Sequence, residues 1–362
     1  MKKTFSSAAV IFGMTGTPCA IAATADAQPS ELNDSVAIEL RGVEVTANRA
    51  GVKTPVAFTN INRETIARSN DGRDLPSILE MTPSVIATGD AGGGIGYSGI
   101  RVRGSDGSRI NITANGVPIN DSESHNVYWV NMPDIQIQRG AGTSTNGAGA
   151  FGASINMLTD APSYAPSATV SASYGSFNSN KETIKVSSGL FGDHWSVDAR
   201  LSHIGSDGYI DRAFSKLWSY MGQVAYRGDG MSLRMLAFGG KEQTYMAWDY
   251  ATKEEMKKFG RRYNPCGKYT ADNGETAFYP DQCDNFTQHH LQLLYTQSIR
   301  HDLTLNATLH YTKGDGYYDQ YKTDRTLTEY GLKPFIDKEG NTVEKSDLIR
   351  LKNNDNDFGE PC

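Results

Sequence analysis

The strongest constraint on this chain is the alternation of apolar and polar residues that begins after Pro166. Successive side chains of a β-strand point to opposite faces, so an alternation of period two predicts strands with one apolar and one polar face. In the clearest segment, single polar residues separate the apolar residues Leu303, Leu305, Ala307, Leu309 and Tyr311. Further segments of about ten residues bring the prediction to about seven antiparallel strands. They begin near Thr169, Thr183, Trp195, Trp218, Ser232 and His290.

The connections between these segments sort by length. The short turns are 191–194, 228–230 and 300–302. The connections at the other edge are longer: 205–217, 241–286 and everything after Lys313. Only 175–180 is a short connection at that second edge. Short turns at one edge and long loops at the other are typical of a transmembrane β-barrel, and aromatic residues near strand ends suit its interfaces. Those aromatic residues are Tyr174, Trp195, Trp218, Tyr226, Tyr295 and Tyr311. A soluble β-sandwich also alternates, but it rarely sorts its loops in this way.

The N-terminus reads as a cleaved export signal covering residues 1–27. Lys2 and Lys3 precede a short apolar core, and a small-residue cleavage site ends at Ala27. No apolar run reaches the roughly 18 residues of a membrane-spanning helix, so a membrane role requires strands. The net charge of −6 offers no basic footprint for nucleic acid. In an exported, oxidising setting, Cys266 and Cys283 are predicted to form a disulfide.

Between the signal and the alternating segments lie a polar leader, 28–53, and a small mixed α+β domain, 54–161. In that domain Asp74 is predicted to cap a short helix that Pro83 ends. Asn115-Gly116 predicts a tight turn between two strands. The strands of the predicted barrel occupy 162–362.

No catalytic arrangement is evident, which predicts a protein that is not an enzyme and needs no cofactor. The segment Gly94–Gly99 formally matches a dinucleotide-binding fingerprint, but it neither follows a convincing strand nor opens a helix. His289 and His290 lie on alternating strand positions without metal-ligand spacing. No metal site is predicted.

Two glycine-containing motifs give the small domain a specific resemblance. Ile100-Arg101-Val102-Arg103-Gly104 is followed by Arg109 and by Asn115-Gly116-Val117-Pro118. Farther on, Ile135-Gln136-Ile137-Gln138-Arg139-Gly140 precedes Gly149-Ala150-Phe151-Gly152-Ala153-Ser154-Ile155-Asn156. In this order, behind a signal and ahead of alternating strands, they resemble the plug motifs of TonB-dependent outer-membrane receptors.

The resemblance implies an outer-membrane location in a Gram-negative bacterium and energised uptake of a scarce ligand. A ferric siderophore-type chelate is the first expectation, and a corrinoid or another nutrient is the alternative. The segment Val43-Glu44-Val45-Thr46-Ala47 resembles a TonB box, an extended stretch that can add as a strand to a periplasmic partner. The implied partners are TonB with its inner-membrane complex (ExbB, ExbD), outer-membrane lipid and a small metal-chelate ligand.

The resemblance also suggests roles for individual residues. Arg101, Arg103 and Arg139 are expected to lock the plug against carboxylates of the barrel wall, since guanidinium groups pair well with carboxylates. Ligand is expected at the outward tips of the plug and at the long external loop. The residues expected there are Arg109, His125, Asn126, Tyr128, Trp129, Tyr245, Trp248 and Tyr250.

The chain departs from the family pattern in three ways. Asn131 to Asp134 runs almost directly into the next strand, as after a small deletion, and Asn115 replaces the usual aspartate. A transporter of this class needs about 22 strands, so the predicted barrel is incomplete. A truncated, non-transporting fragment and a secreted β-rich binding module therefore stand as alternatives.

Overall fold

The structure is a computed structural model that describes ten stretches of the chain: 21–23, 49–51, 54–69, 74–119, 134–141, 150–271, 273–300, 303–321, 325–336 and 340–346. Its two main parts are a small α+β domain, here called the plug after the resemblance of its motifs, and a large antiparallel sheet, here called the wall. No helix in these stretches is long and apolar enough to cross a membrane.

The plug domain is built on a five-stranded sheet with helices before it. Its elements, preceded by the three-residue strand β1 (Ile21–Ala23), are β2 (Ala57–Ile61), α1 (Arg63–Ser69), α2 (Leu75–Leu79), β3 (Val85–Gly89), β4 (Ser98–Val102), β5 (Ile110–Ala114), β6 (Val117–Pro118), β7 (Asp134–Arg139) and β8 (Ala153–Leu158). The sheet order is β2-β7-β8-β5-β6, and β3 and β4 form a separate hairpin. Within the sheet β5 and β8 run parallel.

Turn chemistry explains how β5 reverses into β6. Asn115 and Gly116 adopt φ values of 54° and 81°, a pair of left-handed residues that suits a tight hairpin turn. This confirms the predicted turn. The predicted helix cap is wrong in its detail: Asp74 precedes α2, but its side chain makes no capping hydrogen bond there. Its Oδ2 instead accepts a hydrogen bond of 2.6 Å from the Ser98 hydroxyl.

Seven long strands form the wall and confirm the strand prediction. They are β9 (Pro166–Tyr174), β10 (Asn180–Ser188), β11 (Trp195–Ser206), β12 (Ser215–Gly228), β13 (Met231–Tyr245), β16 (Cys283–Arg300) and β17 (Leu303–Tyr318). Each pairs antiparallel with its neighbour, and β1 pairs with the free edge of β9. The described strands make an open sheet rather than a closed barrel.

The connections of the wall are unequal, as predicted. A two-residue turn joins β12 to β13, whereas the loop from 246 to 282 holds helix α3 (Lys253–Phe259) and the hairpin β14 (Lys268–Thr270) and β15 (Thr276–Phe278). We call this the long external loop. Two small hairpins follow the wall, made of β18 (Arg325–Thr326) with β21 (Lys345–Ser346), and β19 (Phe335–Ile336) with β20 (Thr342–Val343).

The two faces of the wall differ sharply. On the outer face apolar side chains are exposed, including Val170, Ile184, Leu201, Met235, Leu309 and Tyr311. On the inner face buried polar residues alternate with them, including Ser196, Asp198, Ser202, Ser219, Gln223 and Gln292. The plug packs on this inner face, and wall residues Met221, Leu236 and Phe238 share one buried apolar cluster with plug residues such as Ile112 and Ile155. The alternation therefore separates an apolar outer surface from a polar, plug-filled interior.

Candidate ligand site at the plug tip

The plug tip is the loop between β3 and β4, residues 90–97, and the external loops hold it in place. Ala91 forms an isolated β-bridge with Met246, and the amide of Ala247 donates to the carbonyl of Asp90 at 2.6 Å. From another loop, the Ile210 amide donates to the carbonyl of Gly92 at 3.3 Å. The tip is therefore bound by backbone contacts to two loops of the wall.

Two glycines of this tip lie too close to the wall for a side chain: at Gly92 a built Cβ would lie 2.3 Å from Ile210 Cβ, and at Gly96 the backbone conformation adds to the constraint. Gly96 has a φ of +78°, and a Cβ built there would lie 2.1 Å from Thr244 Oγ1 on β13. The next amide, that of Tyr97, donates to Glu242 Oε1 at 2.9 Å. Because the backbone of the tip lies this close to the wall, its position relative to β13 is fixed. The formal nucleotide-binding pattern Gly94–Gly99 is this tip, which leads into strand β4 and not into a helix.

Aromatic side chains from the plug and the long external loop meet above the tip. Trp248 makes edge-to-face contacts with Tyr97, at a ring separation of 6.0 Å, and with Tyr318, at 5.8 Å. Tyr250 is 76% exposed, and its hydroxyl donates to Asp90 Oδ1 at 2.6 Å. That hydrogen bond and the charge of Asp90 raise the pKa of Tyr250. These groups form an aromatic surface at the loop end of the plug, in which Tyr250 is exposed and Tyr97, Trp248 and Tyr318 are half-buried. We call it the tip surface (Asp90, Tyr97, Trp248, Tyr250, Tyr318).

A buried carboxyl pair lies directly below the tip surface. Asp74 is 5% exposed, and burial, followed by the charge of Glu242, raises its pKa to about 8. Glu242 is fully buried on the wall, where its Oε1 also accepts from the Thr244 hydroxyl at 2.9 Å. One acid from the plug and one from the wall are therefore both buried and interact, and the raised pKa favours the protonated form of Asp74.

The predicted ligand residues Tyr245, Trp248 and Tyr250 do not share one environment. Trp248 and Tyr250 lie at the tip surface, and their contact with ligand stays a prediction. Tyr245 does not lie there: it is 1% exposed, and its hydroxyl donates to the carbonyls of Tyr279 and Cys266 inside the loop. Its burial under the long external loop makes it a structural residue, so we correct that prediction.

Arg109 occupies a 3-10 turn, Gly107–Arg109, and its carbonyl accepts from the Gly152 amide at 2.8 Å. In the described stretches it makes no contact with the aromatic residues of the tip surface. The other four predicted residues, His125, Asn126, Tyr128 and Trp129, lie outside the described residues, as does the TonB box-like segment 43–47. The predicted signal peptide lies outside them too, apart from Ile21–Ala23.

The predicted disulfide is not formed in this structure. Cys266 and Cys283 are both free and buried, and they lie in one cluster with Tyr245 and Met246. The Asp249 amide donates to Cys266 Sγ at 3.2 Å, and burial raises the pKa of the Cys266 thiol to about 12. Packing in the apolar base of the long external loop, rather than a covalent link, holds these two residues here.

The expected pairing of three plug arginines with carboxylates of the wall is not seen among the described residues. Arg139 donates to Thr59 Oγ1 at 2.7 Å, within the plug itself. Among the described residues, neither Arg101 nor Arg103 forms an ion pair with a wall carboxylate. Their contact with the wall stays a prediction.

The connections between plug and wall are made by residues that sequence reasoning missed. Asp160, 3% exposed in its side chain, accepts from Lys185 Nζ of β10 at 2.7 Å and from the Arg63 guanidinium of α1. Arg234 of β13 donates to the Asp160 carbonyl at 2.8 Å. One acidic residue just after β8 therefore ties together the plug, the linker and two wall strands.

Comparisons with known proteins follow the same division of the chain. Residues 50–154 match the family model of the TonB-dependent receptor plug domain. No curated protein matches the chain.

Solved structures match the described architecture at low sequence identity. The open form of the ferric-catecholate import receptor Fiu from E. coli K12 has a TM-score of 0.59 at 19% identity and covers 74% of this chain. The siderophore receptor PiuA from Acinetobacter baumannii has a TM-score of 0.60 at 16% identity over 78% of the chain. The copper transporter OprC has a TM-score of 0.57 at 17% identity over 76%.

The chain spans about 40% of the length of each of these three structures. Residues 50–154 are thus a TonB-dependent receptor plug domain, and the wall has the fold of part of such a receptor's barrel. Receptors with this plug domain are transporters and not enzymes.

Proposed function

We propose that this chain is the N-terminal part of a TonB-dependent outer-membrane receptor that takes up a ferric siderophore-type chelate. The observation that carries the membrane role is the division of the wall into two faces. Apolar side chains cover the outer face, while the plug and buried polar residues occupy the inner face. A soluble sandwich would cover its apolar face with a second layer, whereas lipid is the partner that suits an exposed apolar sheet.

The tip surface is the proposed ligand contact. Tyr97, Trp248 and Tyr250 present ring faces and edges where an external ligand would first meet the plug. Aromatic side chains contribute large contact areas, and a few polar groups such as the Asp90 carboxylate can orient a ligand. Two of the similar structures are a ferric-catecholate import receptor and a siderophore receptor, which supports a metal chelate as the ligand.

Coupling to the inner membrane is proposed for the segment Val43 to Ala47. It precedes Arg49 and Ala50, which are tied to the plug sheet: Arg49 pairs with Asp134 at 2.6 Å, and the Ala50 amide donates to Gln136 Oε1 at 2.6 Å. A pull on this segment would act directly on β7. TonB, energised by ExbB and ExbD, is the partner proposed to add a strand there.

Uptake of labelled iron tests the ligand. The receptor is expressed from its complete gene in a strain that lacks its own catecholate receptors, and iron-55 is supplied as a ferric catecholate chelate. We expect uptake with wild type and a loss of ligand affinity of roughly tenfold or more for Trp248→Ala. The control is Tyr311→Ala, which removes an exposed aromatic residue of the outer face.

Each of the other possible results would support one of the alternative functions. Uptake of cobalt-labelled corrinoid instead of iron would keep the importer and replace its ligand. Uptake of neither, from a receptor that reaches the outer membrane, would favour the non-transporting fragment. A product found only in soluble fractions would favour the secreted module.

A second experiment tests the proposed coupling to TonB separately from ligand binding. Val45→Pro removes a backbone donor from the proposed added strand, so uptake should fall to background while ligand still binds to cells. The matched control is Val36→Pro, a change of the same kind elsewhere in the leader. Full uptake by the Val45→Pro variant would contradict the proposed TonB box.

A further inference from the structure

A cavity lies on the inner face of the wall, at the end where the short turns join the strands. Its volume is about 170 Å³. Small side chains that the strand register brings side by side form its floor: Ser232 pairs with Thr296, and Ser196 pairs with Ala225. We call this space the turn cavity. It lies at the start of β13, whereas the tip surface lies beyond the other end of that 15-residue strand, roughly 50 Å away.

The side walls of the turn cavity are mostly apolar. Pro162 and Tyr164 come from the linker that follows β8, Leu190 comes from the turn after β10, and Met231 is the first residue of β13. The Leu190 amide donates to the Tyr164 carbonyl at 3.0 Å, which ties the linker to that turn. A cavity of about 150 Å³ with apolar walls is large enough to hold benzene, so the turn cavity has the size for one aromatic ring.

Arg227 lines the same cavity, and its position is fixed from two sides. The Arg227 amide donates to the His194 carbonyl, and His194 Nδ1 donates to the Arg227 carbonyl, both at 2.8 Å. The guanidinium carbon of Arg227 lies 5.1 Å from the centre of the Tyr164 ring. Stacking uses the face of a guanidinium group and leaves the N–H donors in its plane for an acceptor. These contacts therefore hold a cation with available donors beside a ring-sized space.

The charges around the turn cavity favour an anion. None of the residues that line it is acidic. Among the described residues Arg227 forms no ion pair, and the two acids on the neighbouring turns, Asp193 and Asp229, are exposed and do not line the cavity. The half-buried guanidinium of Arg227 is thus the charge that an occupant of the cavity would meet.

We propose that the turn cavity binds a small aromatic acid, with its single ring among Tyr164, Leu190 and Met231 and its carboxylate on Arg227. Aromatic rings pack well against other rings and against methionine sulfur, and a planar guanidinium matches a carboxylate with two parallel hydrogen bonds. This inference goes beyond the proposed function and does not depend on it. The cavity is formed by wall strands, turns and linker whether or not lipid covers the outer face.

Two simpler explanations compete with this one. Water could fill the cavity while Arg227 extends toward solvent, as long cationic side chains commonly do. Alternatively, Arg227 could attract any small anion without use of the ring-sized space. The first explanation predicts no saturable binding, and the second predicts that the ring of the ligand makes no difference.

Titration with benzoate tests the proposal. The receptor is produced from its complete gene and placed in lipid nanodiscs, and saturation-transfer NMR reports bound benzoate. We expect saturable binding with a Kd of roughly 1 mM, the range for so small a ligand. Arg227→Gln should weaken binding by roughly tenfold or more, because it removes charge-assisted hydrogen bonds. The matched control, Arg261→Gln, removes an exposed arginine from the long external loop and should change binding by less than about twofold.

The cavity and the two parts of the ligand are tested separately. Ala225→Leu fills part of the floor, so a folded receptor with this change should lose benzoate binding. Two further probes need only the wild-type protein: benzamide keeps the ring without the charge, and acetate keeps the charge without the ring. Each should bind at least roughly tenfold more weakly than benzoate.

Several results would overturn the proposal. These are the absence of saturable benzoate binding, equal binding by wild type and Arg227→Gln, and unchanged binding by a folded Ala225→Leu receptor. Equal binding of benzamide would remove the role of the carboxylate. Equal binding of acetate, or displacement of benzoate by equimolar inorganic phosphate, would indicate a simple anion site. Iron uptake by the same wild-type receptor is measured in parallel, and its absence would contradict the proposed function while the result for the turn cavity would stand.

Discussion

The side-chain amide of Asn115 donates a hydrogen bond of 2.9 Å to Oε1 of Gln292, joining the tight turn of the plug to the inner face of β16. Both residues are buried, and Gln292 Nε2 returns a hydrogen bond of 3.2 Å to the carbonyl of Ala114. Asn115 Oδ1 also accepts from the amide and the hydroxyl of Thr159. One side chain therefore connects the turn, the linker that follows β8, and the wall.

Two substitutions at Asn115 should separate its hydrogen bonds from its backbone conformation. Asn115→Gly keeps the left-handed turn but leaves Gln292 and Thr159 without their partner, which should cost about 1–3 kcal/mol. Asn115→Ala should cost roughly 1 kcal/mol more, because alanine tolerates the φ of 54° poorly. Urea unfolding in detergent would measure both. Asn178, φ 53°, is the control: it is exposed, and its Oδ1 accepts only a surface hydrogen bond of 3.2 Å from the Tyr174 hydroxyl, so alanine there should cost little beyond the backbone difference. Equal losses at the two sites would contradict the role of Asn115.

The buried carboxyl of Asp74 should make the free energy of unfolding decrease as pH rises. Its pKa is raised from 3.8 to about 8 in the folded protein, chiefly by burial and then by Glu242. Between those values the folded protein holds a proton that the unfolded chain has released, so stability falls as pH rises from about 4 to about 8. Asp74→Asn should remove this fall. Urea midpoints at about pH 5, 6, 7 and 8 would show it.

The matched control for that experiment is Asp106→Asn. A hydrogen bond from Ser108 lowers the pKa of this exposed carboxyl, so its contribution is lost only as pH falls through the acid range below its unfolded pKa. Over the pH range used for Asp74, Asp106→Asn should leave the slope of wild type unchanged. A wild-type slope retained by Asp74→Asn would show that another group carries the effect.

The plug tip should tolerate no side chain at Gly96. Gly96 and Gly104 have nearly equal φ values, +78° and +79°, so alanine at either position carries a similar backbone cost. Only at Gly96 would the new Cβ meet the wall, at Thr244 Oγ1, whereas nothing lies within 4 Å of Gly104. We expect Gly96→Ala to cost at least about 1 kcal/mol more and to expose the tip to proteolysis. Equal effects of the two alanines would show that the tip can move away from β13.

The free cysteines give a chemical prediction. Burial and a pKa near 12 at Cys266 should keep that thiol unreactive toward maleimide at about pH 8 while the protein is folded. After denaturation without reductant, a Cys362→Ser protein should label at both Cys266 and Cys283, as intact mass would record. Labelling only after reduction would instead restore the disulfide that the sequence suggested.

Sequence alone predicted the structural features that depend only on residues close together in the chain. The alternation after Pro166 is a property of neighbouring residues, and Asn115-Gly116 carries the left-handed propensity that its turn requires. The role of Asp74 could not be read locally, because Ser98 is 24 positions away and Glu242 belongs to a different strand system. Local pattern suggested a cap, but the longer-range hydrogen bond is the one formed.

The same reasoning explains the mixed result for the ligand residues. Tyr245, Trp248 and Tyr250 are close in sequence and equally aromatic, so no local signal separates them. What separates them is the long external loop, which folds back over Tyr245 and leaves Tyr250 exposed. Asp160 was missed for a related reason: its partners Arg63 and Lys185 lie on either side of it along the chain and meet only in the folded protein.

The parallel pairing of β5 with β8 has a consequence for how the chain matures. Strand β8 is the last of the plug in sequence, yet it sits in the middle of the sheet, between β7 and β5. Until the chain has emerged as far as Leu158, the plug exists as two unjoined halves, and β9 begins only a few residues later. Closing a parallel pair across the intervening chain is slow compared with forming hairpins. A chaperone that receives the emerging chain would therefore meet an unfinished plug and the first wall strands at the same moment, and would have to shield both.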